Sequence, residues 1–481
     1  MKSIISLALA AVLASSLVCA DNLTENNVEQ ANAIIEAAVT AHGGEDKLGE
    51  LSTLIVEFES SNYSVDQSRG TEPPWDKNES SGFNAVDLDN TTFVNRATFN
   101  GGGFEGEGGT IINGDESYQL DYRAGTVARI AEPDFDTTSG PFVRVTPALL
   151  VRTLQDRAAN AYYLGEASVD GKDYDVVGFS MTVGPAISMY FDKTDHLLRR
   201  SERIFAGFGL VQYEFLDYED IDGVPFNRTF NLFLNGEPNI ERKNLSTKVN
   251  QPLDELMIVD ARLASIPEQQ PDPLTRQEVA DGVWIIGGNN TYAMFVDMGE
   301  YIFAVGGTAG IPDRIESLRE VVGDKPLKYG MLTHHHSDHV LGVAAYESEG
   351  ATLITSTAHE NVARDAAENG EALEIKTVKD RMTLEAGDRT VQIIDIGPTA
   401  HTEHLLVAYL PEEGILFEAD HFAMPRVGPV RPAVTSTRSF AEALSREELG
   451  VKLIYSAHSP RGGTMDDLRV ALEAEVFQAS R

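Results

Sequence analysis

The stretch Thr333-His334-His335-His336-Ser337-Asp338-His339 follows directly on the apolar run Leu327-Lys-Tyr-Gly-Met-Leu332. A short apolar run of this kind reads as a buried strand, and the polar residues after it as the loop at its carboxyl end. Open α/β architectures carry their ligand sites at such strand ends. His334 and His336 alternate, so both imidazoles can reach one point, while Asp338 and His339 project toward a second point nearby. Imidazole nitrogen and carboxylate oxygen are ligands that zinc accepts, and a catalytic zinc site takes about three of them plus a water. A solvated tag is the alternative origin for such a run. Tags lie at chain termini and have no ordered Asp-His ending, so the run reads as a ligand set.

Three further motifs follow in order: Gly397-Pro-Thr-Ala-His401-Thr402, Leu416-Phe-Glu-Ala-Asp420 and Ile454-Tyr-Ser-Ala-His458. Together with His334-x-His336-x-Asp338-His339 they resemble the signature of the metallo-β-lactamase-fold hydrolases, over roughly residues 275–475. The resemblance implies an αββα sandwich and two metal sites. His334, His336 and His401 would hold one metal, and Asp338, His339 and His458 the other. Asp420 would bridge both. It further implies two Zn2+ ions, with iron or manganese as alternatives, and catalytic roles for Asp338 and Asp420. One departure is visible. Where the family usually has an aspartate after its third strand, this chain reads Phe303-Ala-Val-Gly306-Gly307-Thr308.

The first 20 residues read as a secretory signal, with Lys2 as the positive region, Ile4 to Ala14 as the apolar core and Val18-Cys19-Ala20 as the cleavage site. A periplasmic or secreted location is therefore expected; lipidation at Cys19 is a second reading, weakened by the large Val18. Cys19 is the single cysteine, so the chain after Ala20 offers neither a disulfide nor a cysteine ligand to zinc. No later stretch approaches the ~20 apolar residues that a membrane span needs. The formal net charge is -37. A surface this acidic argues against nucleic-acid partners, because phosphate binding requires clustered Lys and Arg. A small-molecule substrate is the expected partner, with a hydrophobic one among the options and no oligomeric state implied.

Upstream of the metal motifs the texture differs. Residues 26–41 carry apolar positions at helical spacing and stop at Gly43-Gly44. From Leu51 to about Leu256, short alternating runs such as Thr53-Leu-Ile-Val-Glu-Phe-Glu59 and Ala186-Ile-Ser-Met-Tyr-Phe191 predict an antiparallel sheet, interrupted by a helical pair near Pro147–Asn160. The helix with its glycine stop, Tyr190–Arg199 and Tyr218–Pro225 together resemble the periplasmic lipoprotein-carrier fold. That fold is a half-barrel whose concave face would take an acyl chain; a scaffold with a filled core is the alternative. Gly101–Gly109 lacks the Gly-Lys-Ser/Thr ending of a phosphate loop and carries two glutamates, so it reads as a flexible hairpin loop. The proline-rich segment 266–274 predicts a linker between a β-rich domain at 21–265 and a catalytic domain at 275–481. The fold class expected is thus α+β followed by α/β.

The leading reaction is a hydroxide, held by two metals and oriented by Asp338, attacking an ester, lactone, thioester or amide carbonyl. A mononuclear iron dioxygenase of the persulfide type and a non-catalytic hydrophobic-ligand carrier are the alternatives. A true β-lactamase is a weaker reading, because Asp420 matches the general hydrolases. Nine of the 11 histidines follow residue 330. Of those outside the ligand set, His335 reads as a packing residue, His404 and His421 as groups that support ligands or meet substrate, and His359 as solvent-facing.

Overall fold

A computed structural model describes residues 23–206, 209–268 and 271–477. The expected signal segment and Cys19 lie outside these residues. The chain forms two compact units. Of the described residues, one takes those up to Ser60, Phe83–Phe93 and Asp134–Glu255; the other takes Ser61–Gly82, Val94–Pro133 and those from Leu256 on. The division differs from the single boundary expected at 266–274. Segments 61–82 and 94–133 are β-rich by pattern, yet they also bond to the part of the chain that carries the metal motifs: Ser337 N donates to Asp66 O, Glu403 N to Arg69 O and Ser436 N to Gly103 O.

In the first unit, strands in the order 53–63, 237–249, 224–234, 209–221, 198–205, 187–192, 172–179 and 162–169 form an antiparallel array. Tight turns at Asp170-Gly171 and Asn235-Gly236, with all four φ values positive, join adjacent strands. Their backbone twist matches that of the hairpins they close. Along Ile187–Asp192, burial alternates strictly, placing Ile187, Met189 and Phe191 on one face. The helix Leu23–Ala41 buries Ala31, Ile35, Ala38 and Val39, a single stripe at spacings of three and four, and packs on the helix Pro147–Asp156 and the strand Tyr162–Val169.

The second unit contains two further sheets. Seven strands from Thr275–Ala280 to Ile375–Val378 lie in chain order, and six from Arg381–Ala386 to Gly463–Thr464 do the same. Between the sheets, Val283, Ile285, Met294 and Phe303 meet Val391, Ile393, Val407 and Phe417. The alternate residues Trp284, Ile286, Phe295 and Ile302 face helices through Ile311, Ile315 and Tyr346. On the far side, Phe440 and Leu444 of the helix Thr435–Arg446 and Leu468 of the helix Met465–Glu473 close the second sheet. Two-sided burial explains why these strands are continuously apolar rather than alternating. The result is an αββα sandwich.

Local differences from the sequence expectations have simple causes. After the strand Thr352–Ser356 the chain makes a turn at Thr357–His359 followed by the short helix Glu360–Asp365. His359, expected in solvent, is 1% exposed, because its ring packs against His335 at 4.7 Å and His404 at 5.9 Å. Gly101–Gly109 is an ordered hairpin: strands Thr92–Gly101 and Phe104–Ile112 are joined through Gly102 and Gly103. The strands Ile375–Val378 and Arg381–Ala386 escape a reading by pattern, since polar residues interrupt their apolar positions.

Candidate metal centre

Each ligand motif sits just past the end of a strand. The strand Leu327–Met331 pairs in parallel with both of its neighbours, and the chain beyond it is held by Leu332 N donating to Ile354 O and Leu406 N donating to Thr333 O. His336 then caps the short helix Ser337–Val340, which turns Asp338 and His339 back toward His334. Strands Ile415–Glu418 and Leu453–Ser456 run in parallel with Glu418 paired to Ser456. Asp420 and His458 each lie two residues beyond that pair, so strand register alone brings them together. Around His401, Thr399 Oγ1 accepts from the His401 and Thr402 amides at 3.2 Å each, closing the turn that presents the imidazole.

The seven expected residues converge as two groups of four that share Asp420. His334, His336, His401 and Asp420 form the first, with ring centroids 4.4–5.2 Å apart among the three imidazoles. Asp338, His339, His458 and Asp420 form the second. One oxygen of Asp420 faces each group. Oδ2 lies 3.1 Å from His334 Nε2 and 3.0 Å from His401 Nε2; Oδ1 lies 2.9 Å from His339 Nε2 and 2.8 Å from His458 Nε2. Asp338 Oδ2 sits 3.3 Å from His339 Nε2 and 3.5 Å from His458 Nε2.

Several rings are oriented from behind by a backbone carbonyl. His336 Nε2 donates to Ser68 O at 2.9 Å, His401 Nδ1 to Gly102 O at 2.9 Å and His458 Nδ1 to Asn290 O at 3.1 Å. Occupying one ring nitrogen as a donor leaves the lone pair of the other aimed at the shared centre. Among the described residues, buried His336 Nδ1 has no hydrogen-bond partner and buried His334 Nε2 has only Asp420 Oδ2 near it, at 3.1 Å. A buried imidazole nitrogen left this way is costly unless something binds it, and these two point into the first group. The donor set of nitrogen and carboxylate oxygen fits divalent metal ions.

The electrostatics agree. Burial, then the neighbouring imidazoles, keep His334 well below its ordinary range and bring His336 down to about 2, so both rings are neutral donors. Burial alone would raise the Asp420 carboxyl, but the facing His339, His334 and His401 hold it far below the usual range. Burial opposes a charge on His458 too. Hydrogen bonds to Asp338 and Asp420 overcome that and raise it to about 10. A metal entering the second group would displace that proton.

Other residues support the ligands. Gln67 Nε2 donates to Asp338 Oδ1 at 2.9 Å. His335 Nε2 shares Ser68 O with His336. His421 packs on the His401 ring at 5.3 Å and bonds Thr399 Oγ1 at 2.9 Å, while His404 Nδ1 bonds Asp395 Oδ2 at 2.7 Å. The missing aspartate at Gly306-Gly307-Thr308 is replaced by another support. Arg314 Nη1 donates to Thr308 Oγ1 at 2.7 Å, and a Cβ on Gly307 would lie 2.1 Å from His339 O. The backbone itself braces His339 there, and only glycine fits. Gln67, Ser68 and Gly102 carried no motif that could reveal them. What mattered at Ser68 and Gly102 was a carbonyl, which every residue has.

Residues 288–458 match the metallo-beta-lactamase superfamily. A comparison with curated proteins gave no match. Among solved structures, a metallo-beta-lactamase from Pontibacter korlensis is 19% identical, with 42% of this chain and 97% of that one covered and a TM-score of 0.34. The metallo-beta-lactamase FIM-1 from Pseudomonas aeruginosa, in its mono-zinc form, is 19% identical over 41% of this chain and 93% of that one, with a TM-score of 0.33. A mutant of a flavo di-iron protein from Thermotoga maritima is 15% identical over 42% of this chain and 60% of that one, with a TM-score of 0.35. With four ligand motifs in order and an αββα sandwich beneath them, the carboxy-terminal part of this chain is a metallo-β-lactamase-fold domain of that superfamily.

Proposed function

We propose that this protein is an exported, dinuclear metal-dependent hydrolase acting on an ester, lactone, thioester or amide carbonyl. The observation that carries the reading is the shared carboxylate: each oxygen of Asp420 faces a separate histidine group. When bound, two divalent ions of the zinc type supply Lewis acidity and a water whose pKa falls toward neutrality. His334, His336 and His401 would hold one of them, and Asp338, His339 and His458 the other.

The chain's own groups do the rest. Gln67 holds Asp338 Oδ1, leaving Oδ2 directed at the second group. Asp338 is kept well below its usual range: burial works against the charge, but His458 and His339 outweigh it. It therefore orients the attacking water as a hydrogen-bond acceptor. A cavity of about 390 Å³ opens over the cluster, bounded by Gln67, Phe104, Asn290 and Arg431, and admits a small-molecule carbonyl compound.

The test is metal stoichiometry together with turnover of simple esters and lactones. Wild type is expected to bind two metals. Asp420→Ala should lose metal and slow by about 100-fold or more, with an unchanged far-UV spectrum because the sheet core is untouched. Full activity in Asp420→Ala would overturn the bridging role. Wild-type protein holding one iron and consuming oxygen would replace the hydrolase with a dioxygenase.

A further inference from the structure

Beside the metal cluster lies a second and larger cavity, of about 470 Å³, that reaches Asp420 and His421. Its walls come from two sources. The hairpin strands and the next strand, Tyr118–Asp121, contribute Phe99, Phe104 and Leu120, and the segment after Asp420 contributes Phe422, Val430 and Val434. Phe104 lines both cavities and stands edge-on to the His401 ring at 5.1 Å, so the two spaces meet at the ligand cluster.

The charged residues in this wall are paired. Glu105 bonds Arg123 at 3.2 Å, Glu107 bonds Arg96 at 2.5 Å, and Asp121 lies 3.5 Å from Arg431. Apart from Asp420, which faces the histidine cluster, each carboxylate of the wall thus has its own guanidinium. The wall is also braced. Arg123 Nη2 donates to Ala433 O at 2.6 Å, and Thr435 N donates to Glu105 Oε2 at 3.1 Å. Pro425, Pro429 and Pro432 restrict the segment between them. A braced, largely apolar space with its charges matched suits an uncharged apolar group and disfavours an ion.

We propose that this cavity is the subsite for the acyl part of the substrate, selecting carbonyl compounds with an extended, uncharged apolar group over short or charged ones. The inference rests on the hydrolase reading for its chemistry. The binding surface it describes can be tested apart from that chemistry. The cleavable carbonyl would sit at the cluster, and the apolar group would extend past Phe104 between Leu120 and Val430.

The experiment uses the metal-loaded full chain, with octanoyl and acetyl p-nitrophenyl esters for kcat/KM and with octanoate and acetate for binding by calorimetry. Wild type should favour the octanoyl ester by about tenfold or more, and octanoate should bind more tightly than acetate. Val430→Trp fills the space away from the ligands, so octanoyl selectivity and octanoate binding should fall about tenfold while the acetyl ester is little changed. Phe99→Ala, at a half-exposed wall position, should keep its fold and shift selectivity toward longer chains. Equal affinity for octanoate and acetate, or octanoate binding untouched by Val430→Trp, overturns the subsite whether or not esters are cleaved. Chain-length-dependent binding without ester cleavage would keep the subsite and overturn the hydrolase reading.

Discussion

His42, at the end of the first helix, has no exposed surface, and its Nδ1 bonds the Ala38 carbonyl at 2.8 Å. Burial lowers it from 6.5 to about 4, since its ring packs edge-on to Tyr218 with little room for a hydrated charge. The sign follows directly. The unfolded chain binds the proton first, so the folded state keeps its full stability above pH 6.5 and loses it as the pH falls from 6.5 toward 4. The loss from this one residue is about 3 kcal/mol. Urea unfolding of wild type and His42→Gln across that window checks it: wild type should lose about that much more than the variant, and parallel curves would show that His42 does not titrate as its burial requires. His42 carried no motif and drew no reading, because burial of a lone imidazole depends on distant strands. The seven metal-facing residues were legible for the opposite reason. His334, His336, Asp338 and His339 share one loop after a strand, where local spacing already groups them, and His401, Asp420 and His458 lie in short motifs whose role the family resemblance implied. The acceptors behind them were not legible, because Ser68, Gly102 and Asn290 act through backbone oxygens.

At the scale of elements, the hairpin around Gly102-Gly103 shows what composition conceals. A run of six glycines in nine residues suggests slack, yet here the lack of side chains permits close approach. A Cβ on Gly103, where φ is +80, would lie 3.0 Å from Ser436 Cβ and 3.1 Å from Ala400 Cβ. Keeping that approach lets the Gly102 carbonyl reach His401 Nδ1. Gly103→Val should therefore push the hairpin off the His401 turn and lower metal affinity by about tenfold or more, as losing a ligand's outer hydrogen bond does. Gly114→Val is the control. Its φ is also positive, at +53, but nothing lies within 4 Å of the added carbon, so it should strain the backbone without changing metal affinity. Competitive chelator titration separates the two, and equal effects would mean that backbone strain, not contact, sets the result. The sheets of the sandwich were easier to read than this hairpin, because burial on both faces leaves unbroken apolar runs such as Val283-Trp-Ile-Ile286.

At the scale of the whole molecule, the metal-bearing unit is assembled from three stretches of chain rather than one. The motifs all lie beyond residue 330, but Ser68 holds His336, Gln67 holds Asp338 and Gly102 holds His401, and these belong to the segments 61–82 and 94–133 that cluster with residue 256 onward. A linear reading places a boundary where composition changes, at the prolines of 266–274; it has no means of seeing strands that leave one unit and return. The consequence is testable. Residues 256–481 expressed alone keep all seven ligands but lose these three braces. Each lost outer-shell partner costs about 10-fold or more in metal affinity, and the wall formed by Phe99, Phe104 and Leu120 goes with them. The fragment should bind metal at least 100-fold more weakly than the intact chain and unfold at a lower urea concentration. Chelator titration and denaturation of the two proteins side by side decide it. A fragment that binds two metals with the intact chain's affinity would show that the amino-terminal segments only cover the centre, and that the ligand loops hold their geometry unaided.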